Sequence, residues 1–108
     1  MSAKSEYDAA YFTLLRAREE RDDLLRYADF LVAEQERLDD FVERTQASFE
    51  KLPRKVRRPV DATTKPLLEA VGRRRAVVGD ERRRLEGRMA NAEAFVLECE
   101  QEMESLRG

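Results

Sequence analysis

The chain has 108 residues, 41% of them charged, with a formal net charge of −2, four glycines, three prolines, one cysteine and no histidine. That size allows one domain at most, and a charge-rich, Gly- and Pro-poor composition is that of long amphipathic helices rather than a compact mixed fold. A hydrophobic fraction of 42% is too high for a disordered polyelectrolyte, no apolar run reaches the ~18 residues of a membrane span, and no secretory signal pattern is visible, so a cytoplasmic address is expected.

A first helix is expected over about 6–52, with Ser5 as its N-cap and Glu6 and Asp8 in the first turn, where the helix dipole favours acids. Along it a 3,4 spacing selects Tyr7, Ala10, Leu14, Ala17, Leu24, Leu31, Leu38, Val42, Phe49 and Leu52. A 3.5-residue apolar period marks a helix wound against another helix. The stripe is wider than one partner needs. Tyr11, Leu25 and Val32 flank it on one side, Tyr27 and Phe41 on the other, and Phe12, Leu15 and Phe30 lie outside it.

Pro53 and Pro59 end this helix in the reading, and a basic, proline-marked connection follows over 53–63. The cluster Lys51, Arg54, Lys55, Arg57 and Arg58 lies there. From Lys51 to Arg84 the chain carries twelve Lys/Arg and four Asp/Glu, a local charge of +8 against −10 for the remainder. Folding back at the connection therefore makes one end basic.

A second helix is expected over about 64–106, with Thr63 or Thr64 as cap and Pro66 in its first turn. The seam resumes as Leu68, Val71, Val78, Leu85, Met89, Val96, Cys99, Met103 and Leu106. Its phase carries across Gly79-Asp80 without a slip, which favours one continuous helix over a break. Arg21, Gln35, Thr45, Arg75 and Arg82 occupy seam positions. Such polar residues either turn their heads out to water or fix register at a cost in stability. Arg73–Arg75 and Arg82–Arg84 are expected to pair with Glu34, Glu36, Asp39, Asp40 and Glu43.

The fold expected is all-α: two long helices in an antiparallel coiled-coil hairpin, a single domain over 1–108. Two registers are open. One sets Leu52 against Leu68, and the other sets Tyr7 against Leu106. A lone two-helix layer buries too narrow a stripe to offset its ordering entropy, so two hairpins are expected to dimerise into a four-helix bundle. Tyr11, Phe12, Leu15, Phe30 and Phe41 are the candidate interface.

No catalytic or cofactor motif is present. The absence of His removes the commonest zinc ligand and neutral-pH base, and the one cysteine excludes an internal disulfide. No metal, cofactor or catalytic residue is expected. Glu19-Glu20, Asp22-Asp23 and Asp39-Asp40 read as solvated carboxylates. The class expected is a non-enzymatic coiled-coil adaptor that self-associates and binds another protein through its basic tip. The alternative is nucleic-acid binding by Lys51, Arg54, Lys55, Arg57 and Arg58, although no aromatic residue among them could stack on a base.

Overall fold

The computed structural model describes residues 3–107. Their regular structure is entirely helical, with α1 at Ala3–Glu50, α2 at Arg54–Arg107 and no strand among the described residues. The molecule is a two-helix hairpin. The 48 residues of α1 contain neither Gly nor Pro, so nothing interrupts its hydrogen-bond ladder. Thr13, within it, donates its hydroxyl back to the Ala9 carbonyl at 2.9 Å, the usual way a helical threonine satisfies that group. Ser5 is not the cap. The helix already includes Ala3 and Lys4, both good helix formers, so Ser5 stands in the first turn.

The connection is far shorter than the prolines suggest. α1 stops at Glu50, and the Leu52 amide bonds to the Phe49 carbonyl at 3.1 Å, a tightened last turn. Pro53 sterically disfavours helical geometry at Leu52. The Pro53 carbonyl then accepts from the amides of Val56 and Arg57 at 2.9 and 3.2 Å, and α2 begins at Arg54, ten residues before the expected start. Only Lys51–Pro53 separates the helices.

Pro59 and Pro66 therefore lie inside α2. Each removes one amide donor, at a cost of about 3 kcal/mol in a helix interior. The carbonyls left without that donor belong to Lys55 and Ala62. Both prolines and both carbonyl-bearing residues are exposed, so water can take the place of the missing amides. On the opposite side Val60, Thr64 and Leu68, four residues apart, are half-buried. The helix thus carries the apolar seam back to the turn, which the proline rule alone would have surrendered. α2 also runs unbroken through Gly72, Gly79 and Gly87.

The chain packs as two compact units, residues 3–29 with 83–107, and Phe30–Arg82. In the first, Ala10, Leu14 and Ala17 of α1 form one buried cluster with Val96, Cys99 and Met103 of α2, and Tyr7 packs against it. Stepping along the seam from Tyr7–Leu106 sets Ala10 against Met103, Leu14 against Cys99 and Ala17 against Val96, so the cluster has the membership of that register. In the second unit the most buried side chains are Leu31 and Val78. There Arg75 reaches Asp39 and Arg82 reaches Gln35, each one position or one turn from the partner the same register assigns. No buried side chain among the described residues is polar or charged. Arg21 is half-buried and turns to the neighbouring Asp22 at 3.3 Å, while Arg75 and Arg82 are exposed. The heads of the seam arginines thus turn out of the seam to polar partners, Arg21 to Asp22, Arg75 to Asp39 and Arg82 to Gln35.

Candidate interaction surfaces

The turn brings the five expected cations together on α1's end and α2's first turns, and all five are exposed. They do not have equal duties. Arg57 donates from Nε to the Leu52 carbonyl and from Nη2 to the Glu50 carbonyl, both at 2.9 Å. These are carbonyls that a helix end leaves without amide partners. The last turn of α1 has no basic residue of its own, so the guanidinium from α2 also supplies the positive charge that a helix C-terminus favours. The other four, Lys51, Arg54, Lys55 and Arg58, form no ion pair among the described residues. Arg54 and Lys55 open α2, whose first turn contains no acid. Cations at the positive end of a helix dipole raise the local potential, so this corner attracts anions.

Of the two arginine triplets, the first meets two of the five expected carboxylates, and Arg82 of the second reaches Gln35 instead. Arg74 grips Glu34 with two bonds, Nε to Oε1 at 2.6 Å and Nη2 to Oε2 at 3.0 Å. The hydrogen bond from Arg74 holds the Glu34 carboxyl below its ordinary pKa, against a smaller opposing effect of desolvation. Arg75 lies 2.8 Å from Asp39, an ion pair without hydrogen-bond alignment. In the other unit Arg18 faces Glu100 at 3.6 Å. Exposed pairs of this kind orient helices more than they stabilise them.

The candidate interface residues are exposed, Leu15 excepted, which is half-buried. In the first unit the Tyr11 and Phe12 rings meet edge to face with centroids 6.0 Å apart, and Phe12 is 67% exposed. In the second, Phe30 is 53% exposed and Phe41 39%, on one side of α1 about three turns apart. Sequence reasoning missed the matching surplus on α2. Leu67, Val77, Phe95 and Leu97 are all exposed. The signal was available, because each adjoins a seam residue: Leu67-Leu68, Val77-Val78 and Phe95-Val96-Leu97. The outward member of such a doublet cannot reach the seam its neighbour fills.

Near the turn the second unit has a groove of about 400 Å³ along Phe41, Phe49, Leu52 and Val60, with Asp40 and Arg44 at its edge. Thr45, Ser48 and Thr64 also line it, side chains too short to fill the space that larger residues would pack.

Burial raises the Cys99 thiol pKa, with Glu102 and Glu98 adding to the effect. Among the described residues no three His, Cys, Asp or Glu side chains converge as metal ligands do. No helix among them is long and apolar enough to cross a membrane. The chain matches no family model, no curated protein and no solved structure.

Proposed function

We propose that this protein is a non-enzymatic coiled-coil adaptor whose antiparallel hairpin self-associates into a four-helix bundle. The observation that carries this reading is an imbalance of apolar surface. Among the described residues nine hydrophobic ones are buried, three of them the small Ala10, Ala17 and Cys99, while twelve large ones remain exposed. A soluble monomer does not usually leave more large apolar side chains outside than in, and such surface marks association. Tyr11, Phe12, Leu15, Phe30 and Phe41 are the α1 contribution to the interface, and Leu67, Val77, Phe95 and Leu97 extend it to α2. The charged exterior and the absence of a convergent reactive cluster suit a binding role. Sedimentation equilibrium at micromolar concentration tests the reading. A mass near twice the 12.6 kDa of the chain is expected, and a monomer across that range would refute it.

A second reading is favoured by the four unpaired cations at the turn. Lys51, Arg54, Lys55 and Arg58 could hold a nucleic-acid backbone through phosphate contacts alone. Such binding would weaken steeply with salt, roughly in proportion to the number of phosphates contacted. An electrophoretic shift at low salt that disappears when the four are changed to Gln supports it; no shift at low salt removes it.

A further inference from the structure

The turn and the far end of α2 carry complementary surpluses. At the turn, Lys51, Arg54, Lys55 and Arg58 lack ion-pair partners among the described residues, and beside them lies the groove along Phe41, Phe49, Leu52 and Val60. In the last turns of α2, Glu98, Glu102 and Glu104 likewise form no ion pair among the described residues. The exposed Phe95 shares one side of the helix with Glu98 and Glu102, and the exposed Leu97 shares the other with Glu104. One surface offers cations around an apolar groove. The other offers carboxylates beside exposed apolar side chains, Glu98 and Glu102 with Phe95 and Glu104 with Leu97.

We propose that the basic turn of one copy docks on the acidic α2 end, residues 95–104, of a second copy. This rests on the self-association proposed above and specifies its polarity. The apolar contacts provide affinity, and the charges choose the orientation, which is what exposed charges do well. The opposite choice, turn beside turn, would bring two sets of five cations together and leave two carboxylate clusters side by side. Charges packed within the ~8 Å Debye length of physiological salt are only partly screened, so both repulsions would disfavour that arrangement. Docking turn on acidic end removes both at once. Arg57 contributes charge but stays committed to the α1 carbonyls, so it is not one of the docking contacts.

Charge reversal tests this directly, by sedimentation equilibrium at low salt with circular dichroism to check helicity. K51E/R54E/K55E/R58E and, separately, E98K/E102K/E104K should each raise the dissociation constant about tenfold or more. The two sets combined in one chain restore complementarity and should recover most of the wild-type affinity. That recovery is the decisive outcome, since a damaged fold cannot be rescued by further reversals. Reversals without effect, or without recovery in the combined chain, overturn the proposal while leaving self-association standing. A monomeric wild type overturns both. As a second readout, oxidation of an equimolar mixture of Lys55→Cys and Glu102→Cys chains should give the mixed disulfide-linked dimer. Cross-linking of Lys55→Cys only to itself would show turn beside turn.

Discussion

Arg57, in the first turns of α2, donates from Nη2 to the main-chain carbonyl of Glu50, the last residue of α1, at 2.9 Å. Its Nε bonds Leu52 at the same distance. One side chain thus closes the end of one helix from the beginning of the next, across a turn of three residues. Glu50 itself has the wrong sign for a helix C-terminus, so the guanidinium offsets an unfavourable charge as well as two unpaired carbonyls.

Arg57→Ala should therefore destabilise the hairpin by about 1 kcal/mol, below the usual range for charged hydrogen bonds because the site is exposed. Arg58→Ala, one residue on and without such contacts, should fall within about 0.5 kcal/mol of wild type. Urea unfolding followed by circular dichroism measures both. Equal effects would mean that the two arginines act only as surface charge.

The grip of Arg74 on Glu34 gives a pH dependence. The hydrogen bond lowers the Glu34 pKa in the folded state, so the folded protein binds this proton less readily than the unfolded chain. The stabilisation is then fully present above the ordinary carboxylate value near 4 and is lost as pH falls through the lowered value. Glu34→Gln should be less stable than wild type at neutral pH, and the difference should shrink on acidification. A difference that stays constant down to pH 3 would show that the carboxylate's charge is not what matters.

Neighbouring residues on α1 should separate folding from assembly. Leu31 is 2% exposed, and Phe30 beside it points to solvent. Leu31→Ala should cost about 2–4 kcal/mol through the cavity it leaves. Phe30→Asp should preserve helicity and lower the oligomer mass, and Phe12→Asp should do the same in the other unit. Unchanged mass in both aspartate variants would remove these aromatics from the interface.

The seam was legible because it is a sum over many positions. Leu14, Val78, Leu85 and Val96 recur in phase, and one misplaced residue does not disturb the pattern. The start of α2 was not, because Pro59 and Pro66 impose a strong local penalty. That penalty is outweighed only once Val60 and Thr64 are seen to pack on the seam's side. The aromatic surplus of α1 could be read from Phe12 and Phe30, which sit far from the stripe. That of α2 was carried by the same kind of doublet but is easier to miss, since Phe95 and Leu97 flank the core residue Val96 and pass for seam width. Arg57 looked like its basic neighbours. Its distinct role depends on the turn geometry that points its guanidinium back at Glu50 and Leu52, and composition carries no trace of that.

Cys99 reports on whether the first unit opens. It is 4% exposed within the cluster of Leu14, Val96 and Met103, and burial, with Glu102 and Glu98 nearby, raises its thiol pKa. Reaction needs the thiolate and access to it, and burial in the native state disfavours both. A thiol reagent such as dithionitrobenzoate should therefore label the native protein slowly near neutral pH and the urea-unfolded chain rapidly. The native labelling rate should follow the population of the opened state. Leu14→Ala, which weakens the same cluster, should accelerate it in line with its loss of stability, about 2–4 kcal/mol. Arg58→Ala, outside that unit, should leave it unchanged. Rapid labelling of the native wild type would mean that the cluster does not enclose the thiol.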